Sequence, residues 1–252
     1  METDSTPDPE DGPDPGPALG RTAPKPPARG RLSRPRVVRA AVALVDREGL
    51  AALTMRSLAV DLEVEPMALY RYADGKQALL DGMVEAFYAE VNERIQAVFT
   101  GLPQPVDGAT GDWRARLHHV ARAFHQVADA HPAVFPLVAT RPLSVPLARR
   151  PASMLQLNEL VLTLLHQAGL DDRATLRLYR TVVGWAIGYL LVDKRQVIDN
   201  PDDPEPLLRL GLHRLPAAQY PLLRTLAPLL IDHDTETEFA TGLDALLDRL
   251  GH

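Results

Sequence analysis

The segment TMRSLAVDLEVEPMALYRYADGK, Thr54 to Lys76, has the pattern of two short helices joined by a tight turn. Thr54 is a residue type that caps helices, and Leu58, Ala59 and Leu62 follow on one face. Glu63 to Glu65 forms the turn. Pro66 suits the first turn of the next helix, because the N–H it lacks would have no partner there. In that second helix only Leu69 and Ala73 point inward, which leaves Met67, Ala68, Tyr70, Arg71 and Tyr72 facing out. Aromatics interleaved with a cation on an exposed helix are costly to solvate. The grooves and phosphates of DNA would cover them.

Upstream, residues 34–48 carry Val38, Ala41, Val42 and Val45 at helical spacing, with Ser33 as the cap and Gly49 as the stop. Three helices in this short span, the third exposed, is the layout of a DNA-reading helix-turn-helix. Downstream, Leu79, Met83, Phe87, Val91, Ile95 and Val98 predict one long helix over residues 76–99. At 1.5 Å per residue it would span about 35 Å, enough to join a head to a body.

Charge is distributed to match. The formal net charge is −6. Residues 1–20 hold six acids and no base, residues 21–76 eleven bases and six acids, and the remainder sixteen bases and twenty-one acids. A basic segment between acidic ones is the footprint of a module that meets phosphate at one end. Residues 1–30 contain eight of the 23 prolines and few large apolar side chains, so a disordered tail is expected. Arg21, Lys25, Arg29, Arg31, Arg34 and Arg36 form a basic arm, either a phosphate-tracking arm or a solvated linker.

Residues 33–80 resemble the tetracycline-repressor (TetR) family of ligand-responsive transcriptional regulators. The run AAVALVDREGLAALTMRSLAVDLEV and then LYRYADGKQALL carry the resemblance, with Leu69, Tyr70, Tyr72 and Lys76 at the family's spacing. The family usually has Gly where this chain has Glu63, so a tighter or less left-handed turn is expected. The resemblance implies that Arg56, Pro66, Met67, Ala68, Tyr70, Arg71, Tyr72 and Lys76 face DNA. Arg71, the long donor on the exposed face, suits guanine O6 and N7. Met67 and Ala68 offer apolar contact to thymine methyls. Tyr70, Tyr72, Arg56, Lys76 and Thr54 suit phosphates.

The segment FPLVATRP, Phe135 to Pro142, extends the resemblance to the drug-binding repressors themselves. Those repressors hold a drug–magnesium chelate through a histidine where this chain has Leu137, and through an acidic position that corresponds to Val192 here. The resemblance therefore implies a more apolar effector. Its lining would be Val120, Phe124, Leu137, Val161, Trp185 and Tyr189, with Asn92, Thr140 and Arg141 as orienting polar groups. Each of those aromatics also suits ordinary core, and Asn92 a solvated surface. His118, His119, His125 and His131 invite a metal reading, but they lack the spacing of a helical zinc pair, so no metal or cofactor is expected.

Further helices are expected at 113–130, 152–168, 173–195, 221–231 and 236–250, with a loop over 199–220. Gly184, Ala186 and Gly188 permit close helix approach, and in the family the helices corresponding to 173–195 and 236–250 pair with their copies in a second subunit as a four-helix interface. No cysteine is present, which fits a reducing cytoplasm, and no apolar run is long enough to span a membrane. No nucleophile elbow, dinucleotide fingerprint or P-loop occurs, so an enzyme is not expected.

The expected protein is all-α. A tail (1–30) precedes a three-helix DNA-binding domain (31–78), and a long helix leads into a ligand-binding and dimerisation domain (79–252). Its expected partners are operator DNA, a small-molecule effector and a second copy. A constitutive or architectural DNA binder without effector, and a helical carrier or enzyme, are the alternatives.

Overall fold

The computed structural model describes residues 32–101, 113–194, 202–232 and 234–250. The acidic tail, Arg21, Lys25, Arg29 and Arg31 lie outside the described residues. Among those residues every regular element is a helix. From Ser33 onward they belong to one compact unit.

Helix α1 (Arg34–Glu48) starts at Ser33, whose hydroxyl accepts from the Arg36 N–H at 3.4 Å, and stops at Gly49. Its buried face is Val37, Val38, Ala41, Leu44 and Val45. The expected Val42 is only half-buried, and Val37 and Leu44 do more of the packing. Helices α2 (Met55–Asp61) and α3 (Pro66–Leu69) close a small head around the fully buried Leu53, Leu58 and Leu69.

Helix α4 (Gly75–Phe99) then runs uninterrupted for 25 residues, about 37 Å. The expected boundary between residues 78 and 79 falls in its first turn. Leu79, Met83, Phe87, Val91 and Ile95 are buried as their spacing predicts, but Val98 is 42% exposed, while Arg116 of the body lies 5.2 Å over the Phe99 ring. Gly82 is where α1 crosses: a Cβ there would sit 2.8 Å from Val38 Cγ2.

The body is α5 (Trp113–Ala130), α6 (Phe135–Thr140), α7 (Ala152–His166), α8 (Asp172–Lys194) and α12 (Thr235–Leu250). Helix α4 packs on α5, α6 and α7, while α12 packs on α5 and α8. Between α8 and α12, the expected loop contains a short α9 (Pro206–Arg209). The expected single helix over 221–231 is instead two, α10 (Pro221–Thr225) and α11 (Ala227–Ile231). Pro228 is the reason: it has no N–H to carry the helical ladder past Leu226.

Trp185 of α8 lies almost flat on Phe239 of α12, with ring centroids 4.6 Å apart. Gly242, one turn after Phe239, makes room for it, since a Cβ there would fall 2.6 Å from Trp185 Cζ2. The indole is rigid and cannot fold away. Gly242→Ala is therefore expected to destabilise the protein by about 1–3 kcal/mol, read as a lower urea midpoint. An unchanged midpoint would show that α12 is free to slide.

Candidate DNA interface and effector region

The head begins with Thr54. Its Oγ1 accepts from the Ser57 N–H at 2.9 Å, and Ser57 Oγ accepts from the Thr54 N–H at 2.9 Å, a reciprocal cap at the start of α2. At the other end, Glu63 has φ 55°, and the Val64 N–H reaches back to Ala59 O at 3.0 Å. The Glu63 N–H donates to Val60 O at 3.1 Å. These two bonds form a Schellman turn. The turn is thus left-handed despite its glutamate, which corrects the expectation of a tighter or less left-handed turn. Two backbone hydrogen bonds outweigh the crowding of one Cβ.

That turn aims α3. Leu69 is fully buried and Ala73 nearly so, which pins the inner face. Met67 is 74% exposed and Tyr70 47%, and Arg71 and Arg56 are exposed as well. Pro66, Ala68, Tyr72 and Lys76 are half-buried beside them, and Thr54 is exposed. Of the nine residues assigned to DNA from the sequence, Thr54 caps α2 and Arg56 lies on it, Pro66, Met67 and Ala68 lie on α3, and Lys76 lies in the first turn of α4; Tyr70, Arg71 and Tyr72, expected on the second helix, fall in the turn after it, because α3 ends at Leu69. Arg56, Arg71 and Lys76 form no ion pair or side-chain hydrogen bond with the described residues. Contrast Arg47 of α1, held 2.7 Å from Asp61, and Arg34, held 3.0 Å from Glu85. Arg56, Arg71 and Lys76 lie in the same small head as exposed Met67 and Tyr70.

The nine residues assigned to an effector do not converge on one site. Val120, Leu137 and Val161 are buried. Phe124 belongs to an edge-packed cluster with Phe87 (5.7 Å between centroids) and Phe135 (5.9 Å), with Tyr88 alongside. Trp185 and Tyr189 belong to a second cluster around Phe239, which also takes His125 at 5.4 Å. Burial first, and then the charge of Glu238, push the Tyr189 phenol up to about 12. Burial likewise raises the Tyr88 phenol. Both therefore stay neutral at any physiological pH.

The three polar groups are engaged by the protein. Asn92 Nδ2 donates to Ser153 O at 2.8 Å, tying α4 to α7. Thr140 Oγ1 donates to Pro136 O at 2.8 Å within α6. Arg141, just past α6, donates through Nε to Asp81 at 3.0 Å and through Nη1 to Gln77 at 3.0 Å. Sequence reasoning missed that last contact. Only the signs of Arg141 and Asp81 hinted at it, and their separation in the chain concealed it. Val192 is 75% exposed on α8.

Two surface grooves are prominent. One of about 850 Å³ runs between α1 and α4, and one of about 390 Å³ lies between α5 and α12. None of the nine assigned residues lines either. His118 lines the smaller groove and lies 2.8 Å from Asp244. His125 is 1% exposed, and neither ring nitrogen makes a hydrogen bond; Nδ1 lies 3.1 Å from Asp129 but off the bonding direction. Among the described residues, no three ligating side chains gather as a metal site would require. No helix among them is long and apolar enough to cross a membrane.

A capped helix-turn-helix with an unpaired cationic reading face, rooted by one long helix in an all-helical body, defines a DNA-binding regulator. Residues 37–83 match the family of bacterial regulatory proteins of the tetR type, and residues 104–251 match the tetracyclin repressor-like C-terminal domain. The HTH-type transcriptional repressor DrrR1 of Streptomyces coeruleorubidus is 32% identical over 237 residues, covering 89% of this chain and 80% of its own. A crystal structure of a possible TetR family regulator from Streptomyces coelicolor A3(2) is 29% identical with a TM-score of 0.65, covering 86% of this chain and 98% of that one. The Streptomyces coelicolor protein ActR, solved in complex with actinorhodin, is 26% identical with a TM-score of 0.62, over 88% of this chain and 96% of its own. The chain belongs to the TetR family of DNA-binding transcriptional regulators.

The left-handed turn offers a test. A side chain in that conformation costs about 1–2 kcal/mol, partly offset by the greater unfolded freedom of glycine. Glu63→Gly is expected to raise thermal stability by up to about 1 kcal/mol, whereas the β-branched Glu63→Val lowers it. A fall in melting temperature for the glycine variant would contradict the assigned turn.

Proposed function

We propose that the chain is a repressor that binds a two-part operator as a homodimer and is released by a largely apolar, aromatic effector. The observation that carries this reading is the exposed Arg71 between Tyr70 and Tyr72, without an ion pair among the described residues, in the turn after a short helix whose inner face is pinned by Leu69. Arg71 reads guanine, Met67 and Ala68 meet thymine methyls, and Tyr70, Tyr72, Arg56, Lys76 and Thr54 hold phosphates. One strong base reader per head makes modest specificity. A dimer on half-sites about 34 Å apart supplies the rest.

Support for the dimer comes from α8. Gly184 and Gly188 face open space, and Val192 continues that exposed stripe. Leu222 (72% exposed) and Leu229 (66%) on α10 and α11 add apolar surface for a second subunit to cover. The actinorhodin complex of ActR and the aromatic packing of α4, α5, α6 and α8 support an aromatic effector. Trp185 and Tyr189 would line its site from one side, and Phe124, Val120, Leu137 and Val161 from the other. The two clusters must part to admit it. No catalytic step belongs to this reading.

Arg141 offers the transmission. It couples the end of α6 to Gln77 and Asp81, within two turns of the reading helix. An effector that displaces α6 pulls the start of α4 and turns the head. A difference of ~1–3 kcal/mol in effector affinity between the two head positions weakens DNA binding about 5- to 150-fold.

The reading is tested by selecting genomic fragments with the purified protein and measuring variants on them. Arg71→Ala is expected to cost about 1–3 kcal/mol on the selected site and to relax its specificity. Lys76→Ala is expected to weaken all sequences alike and to flatten the salt dependence. Equal losses on every sequence for both variants would defeat the assignment of roles.

A further inference from the structure

His131 stands just past the C-terminus of α5, where its N–H closes on Val127 O at 3.0 Å. Its ring meets two other helices. Nδ1 lies 2.6 Å from Asp46 Oδ2 near the end of α1, and Nε2 lies 3.0 Å from Glu90 Oε2 in the middle of α4. Glu90 is also held by Arg94, at 2.8 Å. Head, strut and body thus share one side chain. We infer that His131, as an imidazolium clasped by Asp46 and Glu90, is the positioning residue that sets the angle of the reading head on the body. The inference rests on the reading of residues 34–73 as a DNA-binding head.

The chemistry is a matter of counting protons. An ionised carboxylate only accepts hydrogen bonds, so a ring bonded to two of them donates from both nitrogens. Only the protonated ring has two N–H groups. A neutral ring would turn one lone pair toward a carboxylate and leave two acids facing each other across it. The end of a helix also favours a cation at this position. The remaining charges of the α1–α4 groove are Arg39, Glu93 and the Arg34–Glu85 pair, and the body contributes the apolar Val134.

The titrations agree with the geometry. Burial would lower the imidazole's proton affinity, but the hydrogen bonds to Asp46 and Glu90, together with their charges, outweigh it and raise the group above its ordinary value. Burial would raise Glu90, yet its bonds to Arg94 and His131 hold it below the usual carboxylate range. A histidine raised on folding contributes stability that is complete below its unfolded value and is lost as pH rises through the folded one. The clasp therefore holds below the imidazole's ordinary value and opens as pH rises through its raised one.

What opens is an inter-element joint. Arg47, next to Asp46, is bonded to Asp61 of α2 at 2.7 Å, so α1 moves with the reading unit. Freed from His131, the head keeps its own fold and loses one of its ties to α4 and α5.

The absence of native cysteine makes the joint measurable. Spin labels at Val60→Cys on the head and Glu159→Cys on the body report their separation, with labelled protein diluted in unlabelled so that only pairs within one chain contribute. Both positions are exposed. From about pH 6 to about pH 9, the expected distance distribution starts narrow and then shifts or broadens. With His131→Gln it is expected to be broad and independent of pH. With Asp46→Asn the transition moves to lower pH, because one of the two carboxylates that favour the proton is gone. A distribution that stays constant across this range in the unaltered protein, or changes identically in His131→Gln, would overturn the inference. If His131→Gln fails to fold by circular dichroism, the displaced midpoint of Asp46→Asn decides alone. The readout needs neither operator nor effector, so a failure of the repressor reading would show up in the DNA selection and not here.

Discussion

The structure depends on one uninterrupted helix. Helix α4 begins within the first turn after the reading unit and ends at Phe99 against Arg116 of α5, and its hydrogen-bond ladder does not break between them. A continuous helix is stiff, so a displacement at one point along it is felt at the other end. The ties to its sides are arranged accordingly. Val38 of the head fits over Gly82. Arg141 grips Gln77 and Asp81 from α6. Ser153 Oγ donates to Glu85 O at 3.1 Å, and Asn92 bonds back to Ser153 O, so the start of α7 is stitched along the same helix. Phe87 and Tyr88 turn into the aromatic cluster that joins α5 and α6.

Around this strut the polar chemistry is divided by location. Where α1 meets α4 and α5, acids and bases are matched: Arg34 with Glu85, Arg94 with Glu90, and His131 with Asp46 and Glu90. Such exposed or half-exposed pairs contribute little stability one at a time. Their value here lies in geometry, because Arg34–Glu85 and the His131 bridge join elements that would otherwise slide, while Arg94 holds, within α4, the Glu90 carboxylate that His131 meets. Around α2, α3 and the start of α4 the matching stops among the described residues, and Arg56, Arg71 and Lys76 form no ion pair. A family of DNA-binding regulators requires this division, since a cation already satisfied by the protein has little to offer a phosphate.

Much of the head was legible in the sequence. Thr54, Pro66 and Gly49 punctuate it, Leu58 and Leu69 set its inner face, and exposed Met67 follows from the short helical period, whereas the turn that takes Tyr70, Arg71 and Tyr72 off the helix was not read. These are local features, and local sterics and capping determine them. The left-handed Glu63 was not legible, because the residue type argues one way and two backbone hydrogen bonds argue the other. The break at Pro228 was legible in principle and would have followed from the missing N–H.

The effector region was read less completely. The resemblance assigned Val120, Phe124, Leu137, Val161, Trp185 and Tyr189 to an effector lining, and in the structure Val120, Leu137 and Val161 are buried while Phe124, Trp185 and Tyr189 join aromatic clusters. Periodicity states only that a side chain faces inward, not which neighbour it meets. Tertiary packing therefore decided that Phe124 and Trp185 belong to separate clusters, that Asn92 ties α4 to α7, and that Arg141 reaches Asp81. It also decided the bridge from His131 to Asp46 and Glu90, whose three members lie 41 and 85 residues apart in the chain. The amino-acid sequence alone determined an all-helical chain with a helix-turn-helix head in a basic segment, because capping, helical period and charge are properties of neighbouring residues. How that head is held to its body was settled only by folding, since distant side chains acquire a common geometry only when helices pack.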